Sequence, residues 1–248
     1  MFESFINPIF APLLRLPILW VVVIISFTVS LIITLVYKFT TNQSLMKTLK
    51  DEMKEFQKEV KELKNEPEKA MEVQKRAMQT NMKYMGHSMR STLFTFIPII
   101  IIFGWMNSHI AYEAINPSQE FTTTLLLNND VKGEIELIES EGITVKSENP
   151  KTIEDGKAIW LLEAERGEYL LEYKFQGRSY TKELLITEQQ GYSKVSKKVS
   201  DGFVKTINID NNPMKVLNLF GWKVGWLGTY IIFSLIFSMT LRKIVKVY

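Results

Sequence analysis

The run ILWVVVIISFTVSLIITLVY, residues 18–37, carries no charged side chain over its whole length. At 1.5 Å of rise per residue, a helix that long crosses the roughly 30 Å hydrocarbon core of a bilayer. The stretch therefore predicts a first transmembrane helix over 18–37, with Pro17 placed where a helix tolerates proline, at its first turn. Upstream, MFESFINPIFAPLLRLP lacks the order of basic residues, short apolar region and small-residue cleavage site that marks a signal peptide, so the span is expected to be retained. Phe2, Phe5, Ile6, Ile9, Phe10, Leu13 and Leu14 keep a helical spacing across Pro8 and Pro12, which makes 1–17 an interfacial segment.

Two further apolar runs, 93–106 and 219–241, predict a second span over 92–112 and a third over 219–241, followed by a short tail, 242–248. The chain is 46% hydrophobic and 23% charged, values an evenly mixed soluble protein would share; here charges form a nearly continuous stretch over 47–90, while the runs 18–37 and 93–106 hold none. Between the first two spans, 38–92 holds twelve Lys/Arg against eight Asp/Glu, and three more basic residues follow position 241. Residues 113–222 hold thirteen basic against eighteen acidic. Basic flanks mark the cytoplasmic side, which predicts a multi-pass protein of the cell (plasma) membrane with its N-terminus outside and its C-terminus in the cytoplasm.

Residues 38–91 read as a cytoplasmic helical hairpin of coiled-coil type. The first arm carries a seam at Leu45, Leu49, Met53, Phe56, Val60 and Leu63, stepping by four and three. Asn65-Glu66-Pro67 ends it and starts a second arm, because Asn caps and Pro fits the first turn. That arm has its own stripe at Met71, Met78, Met82, Met85 and Met89. Two readings of the stripe stand: the seam facing the first arm, or a flexible surface that repacks around dissimilar apolar segments. The second span has a short apolar core of fourteen residues, and Pro98 within it invites a kink.

Polar residues in the spans concentrate toward the cytoplasmic half. Ser26, Ser30 and Thr34 form a column on the first span, Thr92 and Thr95 lie in the second, and Ser234 and Ser238 stand one turn apart in the third. Each alone is expected to bond its own backbone or glue helices. Their shared depth on three helices predicts a groove open to the cytoplasm, with Arg90 at its mouth.

Residues 113–218 alternate in short stretches, GEIELIES, AIWLLEA, EYLLEYKF and SYTKELLIT, separated by glycine turns, and predict an inserted extracytoplasmic all-β, sandwich-like domain. ERGEYLLEYKF resembles the Gly-x-Tyr stretch that leads into a late strand of immunoglobulin-like sandwiches. The chain has no cysteine, hence no disulfide and no thiol nucleophile. It also lacks Walker, GxSxG and HExxH patterns, and its two histidines, His87 and His109, fall at opposite membrane faces, so no enzyme activity, metal or cofactor is expected.

TLFTFIPIIIIFGWM and LNLFGWKVGWLGTYIIFSLIFSMTLRKIVKVY resemble the second and third spans of archaeal YidC-like members of the YidC/Oxa/Alb insertase superfamily, and the order of parts is similar. The resemblance implies a three-helix groove that takes the polar end of a nascent membrane protein, without ATP, while the apolar part leaves sideways into lipid. It implies that Ser26, Ser30, Thr34, Thr92, Thr95, Ser234 and Ser238 line a client groove and that Met78, Met82, Met85 and Met89 touch clients. Nascent membrane proteins and the bilayer are the implied partners, the ribosome and other translocation components are candidates, no nucleic-acid recognition is expected, and the oligomeric state stays open. Bacterial relatives carry an arginine inside the groove, whereas the first two spans here hold no Lys or Arg. The alternative is a membrane-anchored receptor or assembly scaffold whose β-domain binds an outer partner; an ion channel fits less well, because the spans lack charged rings.

Overall fold

The computed structural model describes residues 7–199 and 201–247, with Arg90 described by its backbone alone. Residues 1–6 of the expected interfacial segment and the Arg90 side chain lie outside the described part; residues 7–15 of that segment are helical turns. Two compact units emerge, Met1–Gly104 with Leu227–Tyr248, and Trp105–Trp226.

The first unit is helical. Helix α1 (Ile18–Thr40) is the first span. Helix α2 (Gln43–Glu62) starts where Asn42 caps it, its side chain accepting the Leu45 N–H at 3.2 Å. Helix α3 begins at Pro67 and runs unbroken to His109, straight through Pro98. The expected boundary at 91/92 between hairpin arm and second span is therefore not a boundary. Nothing between Met89 and Thr95 removes a backbone donor or favours a turn, so one helix of 43 residues serves as both. Its membrane-crossing part is Ser91–His109, ending short of the expected 112 because residues 111–113 leave the helix to pair elsewhere. Helix α4 (Trp226–Val245) is the third span. Around α1 the spans meet through Phe27 and Phe237 (5.4 Å, edge-on), and α3 meets α4 through Phe103 and Tyr230 (4.8 Å, edge-on).

The second unit is the β-domain. One sheet has the order β3-β5-β1-β9-β8, from β1 (Phe121–Leu127), β3 (Ile143–Val145), β5 (Lys157–Ala164), β8 (Ser196–Lys198) and β9 (Val204–Ile209). The other has the order β4-β2-β6-β7, from β2 (Glu134–Ile138), β4 (Lys151–Thr152), β6 (Gly167–Phe175) and β7 (Arg178–Ile186). Alternate residues of both sheets point inward to one core around Trp160, Tyr173, Leu125, Leu137 and Ile207. Tyr173 of one sheet bonds Thr123 of the other at 2.6 Å, which satisfies both hydroxyls between the layers. Tyr169 donates to the Glu165 carbonyl at 3.0 Å, the corner its Gly-x-Tyr context suggests. Gly142 makes room for it: a Cβ there would sit 2.6 Å from the Tyr169 hydroxyl.

The β-domain does not end at 218, nor does the third span begin at 219. Residues 215–225 form a separate hairpin, β10 (Lys215–Leu219) and β11 (Trp222–Gly225), and the helix starts only at Trp226. The cause is a two-residue turn. Phe220 and Gly221 both take positive φ, 52° and 94°, and Asn218 accepts the Gly221 N–H at 2.9 Å, a geometry that matches the twist of a tight hairpin. Displaced by these seven residues, the span runs on to Val245, into the expected tail.

Candidate functional site

The hydroxyl column of α1 is buried inside the helical unit: Ser26, Ser30 and Thr34 are all nearly inaccessible. Ser26 donates to the Val22 carbonyl and Thr34 to the Ser30 carbonyl, both at 2.7 Å, one turn back on the same helix. Ser30 differs. Its hydroxyl reaches across to the Ser234 carbonyl of α4 at 3.4 Å, bringing the two expected columns together. The Ser234 hydroxyl is itself buried and has no hydrogen-bond partner among the described residues. A buried hydroxyl left so costs about 1–3 kcal/mol, and it is the polar group in this core most ready to accept a visiting donor.

On α3, Thr95 is buried and donates back to the Ser91 and Thr92 carbonyls at 3.2 and 3.0 Å. Ser91, buried beside it, was not singled out in the sequence, although it continues the same face one turn earlier. Thr92 is exposed and bonds Ser88, so it stands outside the set that converges. Ser238 is half-buried one turn beyond Ser234. Thus Ser30 and Ser234 share a helix contact, Ser26, Thr34 and Thr95 lie buried with their hydroxyls bonded within their own helices, and Thr92 faces away.

The methionine stripe is not a seam. Met71, Met78, Met82, Met85 and Met89 are each more than half exposed. The buried line of α3 runs instead through Val73 and Thr80, with Ala70, Ala77, Tyr84 and Ser88 half-buried along it. Several of these stand one position before a methionine, a rotation of about 100° around the helix. The two arms meet through Arg76 of α3, which lies 5.7 Å over the Phe56 ring of α2 and pairs with Glu59 at 3.6 Å. The exposed stripe then continues through Leu93, Phe96, Ile97 and Ile100, all more than half exposed, so one helix carries an unbroken apolar track from the charged arm into the span.

The β-domain carries a different cluster. Lys182 on β7 points inward at only 2% exposure and donates to the Glu183 carbonyl at 2.8 Å. It lines a cleft of about 440 Å³ with Lys194, Lys197 and Lys198, between β7 and β8, the edge strands of the two sheets. Lys197 covers the same β7 edge, donating to the Thr181 carbonyl at 2.6 Å. Inward lysines of this kind guard sheet edges against pairing with other chains. Burial pushes the Lys182 ammonium down to about 8, with Glu183 opposing and Lys197 adding to the shift. The folded chain thus binds fewer protons than the unfolded chain between pH 8 and 10.5, so stability rises with pH across that window and the full penalty, on the order of 3 kcal/mol, applies below it. Lys182→Met is expected to raise the β-domain's unfolding midpoint at pH 7 and to flatten this rise; a melt series from pH 7 to 10.5 in which parent and variant run parallel would count against it.

Residues 4–133, just over half of the chain, match the family described as integral membrane protein EMC3/TMCO1-like. The matched stretch takes in α1, α2 and α3 and the first strand of the β-domain, while the other strands and α4 lie beyond it. No curated protein and no solved structure matches the chain. With three apolar helices of spanning length and a separate all-β region, the chain belongs to the EMC3/TMCO1-like integral membrane protein family, part of the Oxa1/YidC/Alb3/EMC3 insertase-related superfamily linked to membrane protein insertion and biogenesis.

Proposed function

We propose that this chain is an insertase of the cell membrane, acting without ATP and without enzymatic chemistry, with α2 and the arm of α3 in the cytoplasm as a coiled-coil hairpin and the β-domain outside. The observation that carries the reading is the exposed track on α3, from Met78 through Met89 to Ile100. A nascent apolar segment meets thioether side chains first, which adapt to varied sequences, and can follow the same face toward lipid. Its polar end faces the harder step, since an unpaired polar group in hydrocarbon costs about 2–7 kcal/mol. The hydroxyls of Ser30, Thr34, Thr95 and Ser234, turned inward on three helices, offer it partners along a shortened path. The basic excess of the hairpin keeps it on the cytoplasmic side, where the ribosome delivers clients.

Photocrosslinkers at Met78, Met82, Met85 and Met89 should capture the apolar segment of a stalled nascent membrane protein, in the order of distance from the membrane as the nascent chain lengthens. Crosslinks confined to lipid or to α2 would defeat the proposal.

A further inference from the structure

The hairpin β10–β11 belongs to neither sheet of the β-domain; its strands pair with each other, Leu219 opposite Trp222 and Leu217 opposite Val224. Cross-strand partners share a face, so Leu217, Leu219, Trp222 and Val224 form one apolar side, while Asn218 and Lys223, also opposite one another, lie on the other. At the tip, Phe220 is fully exposed and Trp222 is 69% exposed. A lone two-stranded hairpin is marginal in water, and one that also shows aromatic side chains to solvent needs a surface to rest on.

The surface is close by covalent connection. Gly225 ends β11 and Trp226 is the first residue of the third span, so the Trp222 backbone is at most about 13 Å of chain from the start of that helix. The headgroup region beyond the hydrocarbon is several ångströms deep on each side, and it is where Trp and neighbouring cations concentrate. Trp226 is the first residue of the span, the position in a membrane helix where tryptophan concentrates.

We infer that the β10–β11 hairpin is a lipid-interface anchor: Phe220 and Trp222 lie among the headgroups and upper acyl chains of the leaflet in which the third span begins, with Lys223 turned toward the phosphates. The anchor depends on the third helix crossing the membrane and not on the insertase reading. It fixes the depth at which that helix starts, with two aromatic side chains six and four residues before its first residue, Trp226.

The absence of cysteine makes the test direct, because a single introduced thiol can be labelled alone. Phe220→Cys and Trp222→Cys, each carrying the fluorophore NBD, are compared in phosphatidylcholine nanodiscs with Ile159→Cys, an exposed position on the outer side of β5. The anchor predicts blue-shifted emission at 220 and 222 and quenching by headgroup-proximal spin-labelled lipid several-fold stronger than at 159, in chains whose β-domain melts like the parent. Emission and quenching equal to those at 159 would overturn it. So would a blue shift without lipid quenching, which would mean that protein covers the tip.

Discussion

Removing four span hydroxyls together, by Ser30→Ala, Thr34→Val, Thr95→Val and Ser234→Ala, is expected to slow translocation of a client's polar tail by roughly ten- to a thousandfold while the chain stays folded. The rate estimate takes about 1 kcal/mol for each hydroxyl that pairs with the crossing tail and a tenfold change for each 1.4 kcal/mol. Stability should change little for reasons specific to each site. Thr34 and Thr95 bond carbonyls of their own helices, which keep their helical partners when the hydroxyl goes, and valine preserves the threonine shape. The Ser234 hydroxyl has no partner to lose among the described residues, so Ser234→Ala relieves a buried unpaired oxygen. The measurement is protease protection of a short N-terminal tail in proteoliposomes, with the thermal melt as the control. Translocation at the parent rate by an intact quadruple variant would take the hydroxyls out of the mechanism.

The largest effect on stability is expected from Trp160→Ala in the β-domain. Trp160 is fully buried, packs against Tyr173 at 5.3 Å and donates its indole N–H to Asn149 at 3.2 Å. Asn149 also accepts the Leu137 N–H at 2.9 Å and donates to the Leu137 carbonyl at 2.7 Å, so the indole supports a polar bridge between the two sheets as well as filling the core. Emptying such a site costs about 3–5 kcal/mol, a large share of the 5–15 kcal/mol that holds a domain together. For about a hundred residues that corresponds to a fall of more than about 12 °C in the midpoint. Limited proteolysis of the β-domain across a temperature ramp would register it, and a shift of only a few degrees would show that the neighbours collapse into the space.

Much of this architecture could be read from residues alone, and the misreadings share a cause. The first span was legible because twenty uncharged, mostly apolar residues have no other solvent, and the start of α3 because Asn65-Glu66-Pro67 combines a turn with a proline at a helix's first position. Leu219, Phe220, Gly221 and Trp222 are as apolar as the helix that follows, so hydropathy joined them to it; the Asn218-to-Gly221 turn decides otherwise, and only Asn and Gly in that order hinted at it. The methionine stripe could be placed on one face from spacing alone, but spacing left open whether that face was the seam or a free surface, and its exposure decides for the free surface. Burial follows Ala70, Val73, Ala77 and Thr80 instead. The hydroxyl columns of the single helices were visible in the sequence, whereas the Ser30 to Ser234 link required the helices to be set side by side.

The segment leaving the second span and the segment approaching the third lie against each other. The Glu113 N–H bonds the Asn212 carbonyl at 2.8 Å, the Met214 N–H bonds the Ala111 carbonyl at 2.9 Å, and Tyr192 closes the end of α3 by accepting from the Ala111 N–H and donating to the Asn107 carbonyl. The domain's two ends therefore come within a hydrogen bond of one another. To the chain on either side of it, this module of about a hundred residues presents the same closure as a short turn, since its folding already supplies the loop entropy that an unstructured insert of that length would impose. A cassette so built can be gained, lost or exchanged between two membrane helices without asking either of them to move.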